Sequence, residues 1–212
     1  MGHHPPITIK NALDRIQARQ WVLPAIQREF VWRTKQISAL FDSLMQGYPV
    51  GSLLLWQVQA AHARDYVFYG FMRDYHEKDN PHCPPLDLPS HDLTAVLDGQ
   101  QRLTALNIGL RGSHAARLPR KHWYNPNAYP KTLLFLNLRA PAPENDEGLS
   151  YDFRFFRHDR VPTPDAGQFW FPVKRVYDAG NPLQLLRGLP PEVTSASGSN
   201  ILTCHLIATT RP

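Results

Sequence analysis

The chain has 212 residues, 42% hydrophobic and 19% charged, enough to bury a core as one domain with an irregular annex. Its 23 Lys and Arg outnumber 18 Asp and Glu for a formal net charge of +5, which suits a polyanionic partner without requiring one. No apolar run approaches the roughly 20 residues of a membrane span. Two distant cysteines, Cys83 and Cys204, and no apolar leader argue against a secreted disulfide framework and for the cytoplasm.

Ile9, Leu13 and Ile16 sketch a short amphipathic helix over about 9–19, after which WVLP turns extended, as Pro24 favours at Leu23. TKQISALFDSLMQGYP reads as the clearest helix, with Thr34 as N-cap, Gly47 at C′ and Pro49 beyond. VGSLLLWQV follows as a buried strand, its Leu53, Leu54 and Leu55 too continuous for a face left in water, and YVFYGF as another. Residues 74–90, rich in Pro, His and charge, predict a long surface loop. LTAVL predicts a strand, and QQRLTALNIGL a helix with Leu103, Leu106 and Leu110 on one side. Further on, KTLLFLNL and YDFRFF predict strands around a solvated turn, APAPENDEG, and PPEVTSASGSN has linker composition.

The stretch VLDGQQRLTAL, residues 96–106, places an Asp-Gly corner between strand and helix. A helix start leaves amides without intrahelical partners and carries partial positive charge, so anions bind there. Gly99 permits close approach, and Arg102, one turn in, offers a planar fork of donors to phosphate oxygens. The plainer reading makes Asp98 an N-cap and Gln101 the reciprocal member of a capping box. An ionised Asp98 beside a triphosphate would repel it unless a divalent cation lies between them or the carboxylate is turned away as a cap. With Mg²⁺ present, Asp98 would hold the metal, Gln100 would orient the attacking water and Arg102 would stabilise phosphoryl charge.

Two other segments accompany this corner. In LPAIQREFVW, Gln27 and Arg28 interrupt an apolar context, as polar groups lining a pocket do, although Arg28 could equally pair with Glu29 or Asp42 at the surface. GYPVGS is a turn whose glycines allow one wall of the same pocket to approach closely. The histidines His76, His82, His114, His122 and His158 form no convincing metal-ligand set.

In that order, LPAIQREFVW, LMQGYPVGSLLLW and VLDGQQRLTAL resemble the N-terminal domain of GmrSD-type restriction enzymes, the DUF 262 family, over about residues 8–112. The resemblance implies an α/β (α+β) fold like that of ParB and sulfiredoxin, with a small mixed sheet flanked by helices and a later β-rich extension. It divides the chain into a core at 1–112, a β-rich continuation at 113–189 and a linker-like or truncated tail at 190–212. It implies NTP binding and hydrolysis with Mg²⁺, with Asp98, Gln100 and Arg102 catalytic, Asp98 on the metal, and Gln27, Arg28, Gly99, Gln101, Arg102 and Thr104 on the nucleotide. Full-length relatives carry an HNH-type nuclease domain and cut modified DNA in phage defence. This chain has Ile26 where the family has an aromatic residue, and it ends before a nuclease domain begins.

The reading is therefore an NTP-hydrolysing regulatory domain of a modification-dependent restriction protein, without its nuclease half. The alternatives are a nucleotide-dependent DNA-binding module with negligible turnover and an inactive fragment. A sulfiredoxin-like reductase is disfavoured because residues 98–102 contain no thiol.

Overall fold

The fold is described from a computed structural model, over residues 5–26, 29–49, 51–87, 91–144, 148–187 and 189–194, together with 200, 203–205 and 208. It is α+β: a four-stranded mixed sheet flanked by helices, a two-stranded parallel ribbon and a three-stranded antiparallel sheet. Helix α1 (Ile9–Gln17) is capped by Thr8, whose hydroxyl accepts the Asn11 amide, and buries Ile9, Ala12, Leu13 and Ile16. Strand β1 (Trp21–Pro24) follows, buried along its length.

Helix α2 (Thr34–Met45) starts one residue earlier than a Thr34 cap predicts: Arg33 is the N-cap, and its amide donates to the Gln36 side chain. Its end is as expected. Gly47 takes a left-handed φ of 90°, its amide donates to Leu44 and that of Tyr48 to Ser43, a Schellman closure.

Strand β2 (Leu54–Val58) is an edge strand with Leu54 exposed, which corrects the buried strand expected from its leucine run. It pairs antiparallel with β5 (Leu93–Asp98), which runs parallel to β1 in the sheet's interior. Between them come the single turn α3 (Ala60–Ala63) and the two-residue β3 (Phe68–Tyr69), which closes the other edge against β1. The order is β2-β5-β1-β3.

The region expected to be one long surface loop contains β4 (Asp74–His76) instead, paired in parallel with β6 (Ser113–Ala115). Its later part also returns to the fold, the Gly70 amide donating to Pro84. These pairings join residues far apart in sequence, so a local composition rich in Pro and His gave no sign of them.

Helix α4 (Gln100–Arg111) leaves β5 directly. All residues from Leu103 to Leu110 are buried, more than the single leucine face predicts, because α1, α2, α5 (Lys174–Asp178), β6 and β7 (Leu133–Pro141) all pack on it. Strands β8 (Tyr151–Phe156) and β9 (Trp170–Pro172) flank β7 antiparallel. The first two of these three strands match the sequence reading; β9, α5 and α6 (Pro182–Leu186) come without a periodic signal. Val193, Cys204, His205 and Ala208 are buried despite the linker-like composition around them, and Cys204 and Ala208 pack against α1, α2 and α4. Both cysteines are free.

Two buried polar groups tie these layers together. Asp42 on α2, 2% exposed, accepts the amides of Ser150 (2.9 Å) and Tyr151 (2.7 Å) at the start of β8 and the Gln46 side-chain amide (2.6 Å). Asp42→Ala strands those donors and should cost roughly 3 kcal/mol in a denaturant melt; an unchanged midpoint would show the bonds to be dispensable.

His114 on β6 is buried and stacked on Tyr75 at 4.6 Å between centroids. Burial pushes its imidazole down to about 4, against the opposing pull of Glu77. The unfolded chain, with an ordinary histidine, therefore takes up the proton first as pH falls. Stability should drop from about pH 6.5 downward and level off near pH 4, by roughly 2–3 kcal/mol. His114→Phe should flatten that slope between pH 6.5 and 5, measured by denaturation at a series of pH values.

Candidate functional site at the start of α4

The strand β5 ends in Asp98, and Gly99 turns the chain into α4 with φ 89° and ψ 3°, a left-handed conformation that disfavours any side chain. Gly99 itself is the N-cap, and no side chain caps this end. The capping box expected from Asp98 and Gln101 is thus absent. Gln101 reaches away from its own helix: its Nε2 donates to the Glu29 carbonyl (2.8 Å) and its Oε1 accepts the Val31 amide (3.1 Å). A glutamine amide here mimics a strand neighbour, pinning the segment after the Gln27-Arg28 pair to the first turn of α4. Gln27 and Arg28 lie outside the described residues.

The loop between α2 and β2 approaches the corner from another direction. Arg102 donates from Nη2 to the Ser52 carbonyl (2.9 Å), and the same nitrogen lies 3.6 Å from an Asp98 carboxylate oxygen. Gly51, at φ 93°, lies so close to this guanidinium that a Cβ there would overlap Nη1. A Cβ at Gly99 would overlap the Leu53 side chain. The Gly51–Ser52 backbone of GYPVGS thus reaches this corner, and both glycines hold left-handed φ values that strain any side chain.

Among the expected site residues, exposure separates two groups. The Asp98 side chain is 71% exposed and that of Arg102 24%, so both meet solvent at the helix mouth. Gln100 is 7% exposed and Thr104 2%, on the packed side of α4. A helix start directs its first-turn amides out of its end, and Gly99 at this N-cap is buried beside the Leu53 and Arg102 side chains. Ile26, Val31 and Tyr48, from the two segments that meet α4, are exposed apolar residues around this end.

One neighbour was missed by sequence reasoning. His82 contacts the Glu29 carboxylate through Nδ1, bringing the Pro-rich segment to the rim. Spacing could not show this, because the two residues are distant in sequence and linked only by tertiary folding.

Among the described residues no cluster of three or more His, Cys, Asp or Glu side chains is arranged to hold a metal. A single exposed carboxylate fits Mg²⁺, which keeps several waters and takes its remaining ligands from substrate phosphates. A separate cavity of about 350 Å³ lies between α2 and the β7–β8 hairpin, lined by Lys35, Ser38, Asp152 and Arg154 among others, and does not include the corner. No helix among the described residues is long and apolar enough to cross a membrane.

An uncharacterized protein of Methanocaldococcus jannaschii is 29% identical over 123 residues, 57% of this chain and 20% of the relative, so the match spans about a fifth of that protein's length. The family described as GmrSD restriction endonuclease, N-terminal domain, matches residues 9–168, a stretch that runs from α1 past β8 and contains all three converging segments. The chain belongs to this family of GmrSD restriction endonuclease N-terminal domains.

Proposed function

We propose that this chain binds and hydrolyses a nucleoside triphosphate with Mg²⁺, as the regulatory domain of a restriction system that acts on modified DNA through an HNH-type nuclease region. Membership of the family supports the restriction setting. The observation that carries the nucleotide reading is the meeting of Arg102, Asp98, Gly99 and the Gly51–Ser52 backbone at the start of α4.

In this reading the terminal phosphates lie against the first-turn amides and the guanidinium of Arg102. That guanidinium is already oriented by Ser52, so little rotamer freedom is lost when phosphate binds. Asp98 holds the metal, directly or through water, and so faces the phosphates without repelling them. A metal held there by Asp98 would neutralise phosphate charge. Gln101 keeps the 29–31 segment at the nucleotide's side, and the family resemblance adds Gln27 and Arg28 as nucleotide contacts. By the same resemblance Gln100 would orient the attacking water and Thr104 would contact the nucleotide, both from the packed side of α4.

One observation favours the second reading, a nucleotide-dependent DNA-binding module without turnover: the burial of Gln100, the residue assigned to the water. Phosphate release separates the two. Wild type should release phosphate from GTP or ATP only with Mg²⁺, and Asp98→Ala should lose that release while staying folded. Nucleotide binding without release in wild type would establish the module instead.

Arg102→Ala should weaken nucleotide binding by about 1.5–3 kcal/mol, read by calorimetry with a non-hydrolysable analogue. Equal affinity in a folded variant would remove Arg102 from the site. Gly51→Ala should act in the same direction without touching any charge, since its methyl group displaces the guanidinium, and should cost about 1 kcal/mol of stability from the left-handed backbone alone.

A further inference from the structure

Between Asp98 and Glu144 the chain carries no acidic residue. The middle of that stretch, ARLPRKHWYNPNAYPK at 116–131, is the connection from β6 to β7. Every residue from Ala116 to Tyr124 is exposed. Cations and rings meet there: the Arg117 guanidinium lies 5.6 Å from the Trp123 ring centroid, and Lys78 Nζ, from the turn after β4, lies 5.9 Å from that of Tyr124. Tyr124 is 75% exposed.

The loop is built rather than loose. The Leu118 amide donates to Ala128, that of Lys121 to Leu118, and that of Asn125 to His122. The Asn125 side chain accepts the Asn127 amide, and the Tyr129 hydroxyl donates to the Trp123 carbonyl (3.0 Å). Ala115, Ala128 and Tyr129 form a small core of their own beneath it. Arg120 takes a left-handed φ of 62°, unusual for a side chain of its size, and turns the chain at the exposed tip. The acidic neighbours lie on β4 and the turn after it: Glu77 accepts the Arg117 amide, and Asp74 stands 3.9 Å from Lys131.

We infer that the 116–131 loop is a nucleic-acid contact surface, in which Arg117, Arg120 and Lys121 receive backbone phosphates and the Tyr124 ring receives an unstacked base. A phosphodiester strand is the polyanion that uses both features, since its charge meets the cations and its bases meet ring faces. An acidic peptide uses the cations alone. The inference deepens the DNA part of the proposed function and rests on that reading only for the choice of DNA as the polymer.

Anisotropy of a short fluorescent single-stranded DNA, titrated with the full chain at several KCl concentrations, tests it. Tyr124→Ala should weaken binding about tenfold, and Tyr124→Phe should restore it. The double variant Arg120→Ala, Lys121→Ala should lower the slope of log affinity against log salt by about 1.4. Lys174→Ala, on α5, should change neither, and all variants should bind nucleotide as wild type does. If wild type binds DNA and the loop variants bind equally well, the loop assignment falls while the DNA reading stands. If wild type binds neither this strand nor its duplex, the DNA reading falls and nucleotide binding is the independent survivor. Displacement by polyglutamate as effective as by unlabelled DNA would overturn the assignment to nucleic acid.

Discussion

The burial of α4 is the constraint on which the rest of this structure depends. Eight consecutive residues, Leu103 to Leu110, are buried by elements from before and after the helix in sequence, so its axis cannot tilt without opening several interfaces at once. A helix held this way presents its first turn at a fixed place. Strand β5, interior to the mixed sheet and parallel to β1, fixes the other side of the corner. What remains adjustable at the end of β5 is one glycine's backbone and the side chains around it.

Those side chains turn a rigid corner into a meeting point. Gln101 and Arg102 are adjacent yet point to different partners, one holding the chain at 29–31 and the other the loop at 51–52. Neither contact stabilises α4 itself, whose packing is sufficient. Both spend side-chain entropy to order external loops around an open helix end. The two glycines extend the same logic, since a methyl group at Gly51 would displace the guanidinium and one at Gly99 would displace Leu53. Geometry of this kind is over-determined for a simple turn.

Much of this was legible in the sequence wherever the signal was local. Helices α1, α2 and α4 and strands β5, β7 and β8 announce themselves by periodicity and punctuation, and the chain order of three motifs pointed to the family that residues 9–168 match. The failures share one cause. Asp-x-x-Gln has identical spacing whether the glutamine folds back to cap its helix or reaches 70 residues away, as it does to Val31. The leucines before Trp56 read as buried on both faces, whereas β2 is an edge strand whose Leu53 neighbour is spent covering Gly99. The β4–β6 ribbon is parallel and non-local, and the buried residues near the end of the chain are few and scattered. Local composition carries no information about such partners.

The distribution of acid groups separates two ways of meeting phosphate. At the corner, Asp98 stands 3.6 Å from Arg102, so under the proposed function a triphosphate would face a carboxylate and would need a cation that both can share. The 116–131 loop lies within the stretch that has no acidic residue of its own, so its cations are not cancelled from within the loop. A phosphodiester carries one charge per phosphate and needs no metal to be tolerated beside arginine and lysine. If both proposals hold, the corner would take a polyvalent ligand whose affinity follows Mg²⁺, and the loop a polymer whose affinity follows salt. The two dependences belong to different residues, so magnesium and salt can each be varied to read one surface while the other is left as its internal control.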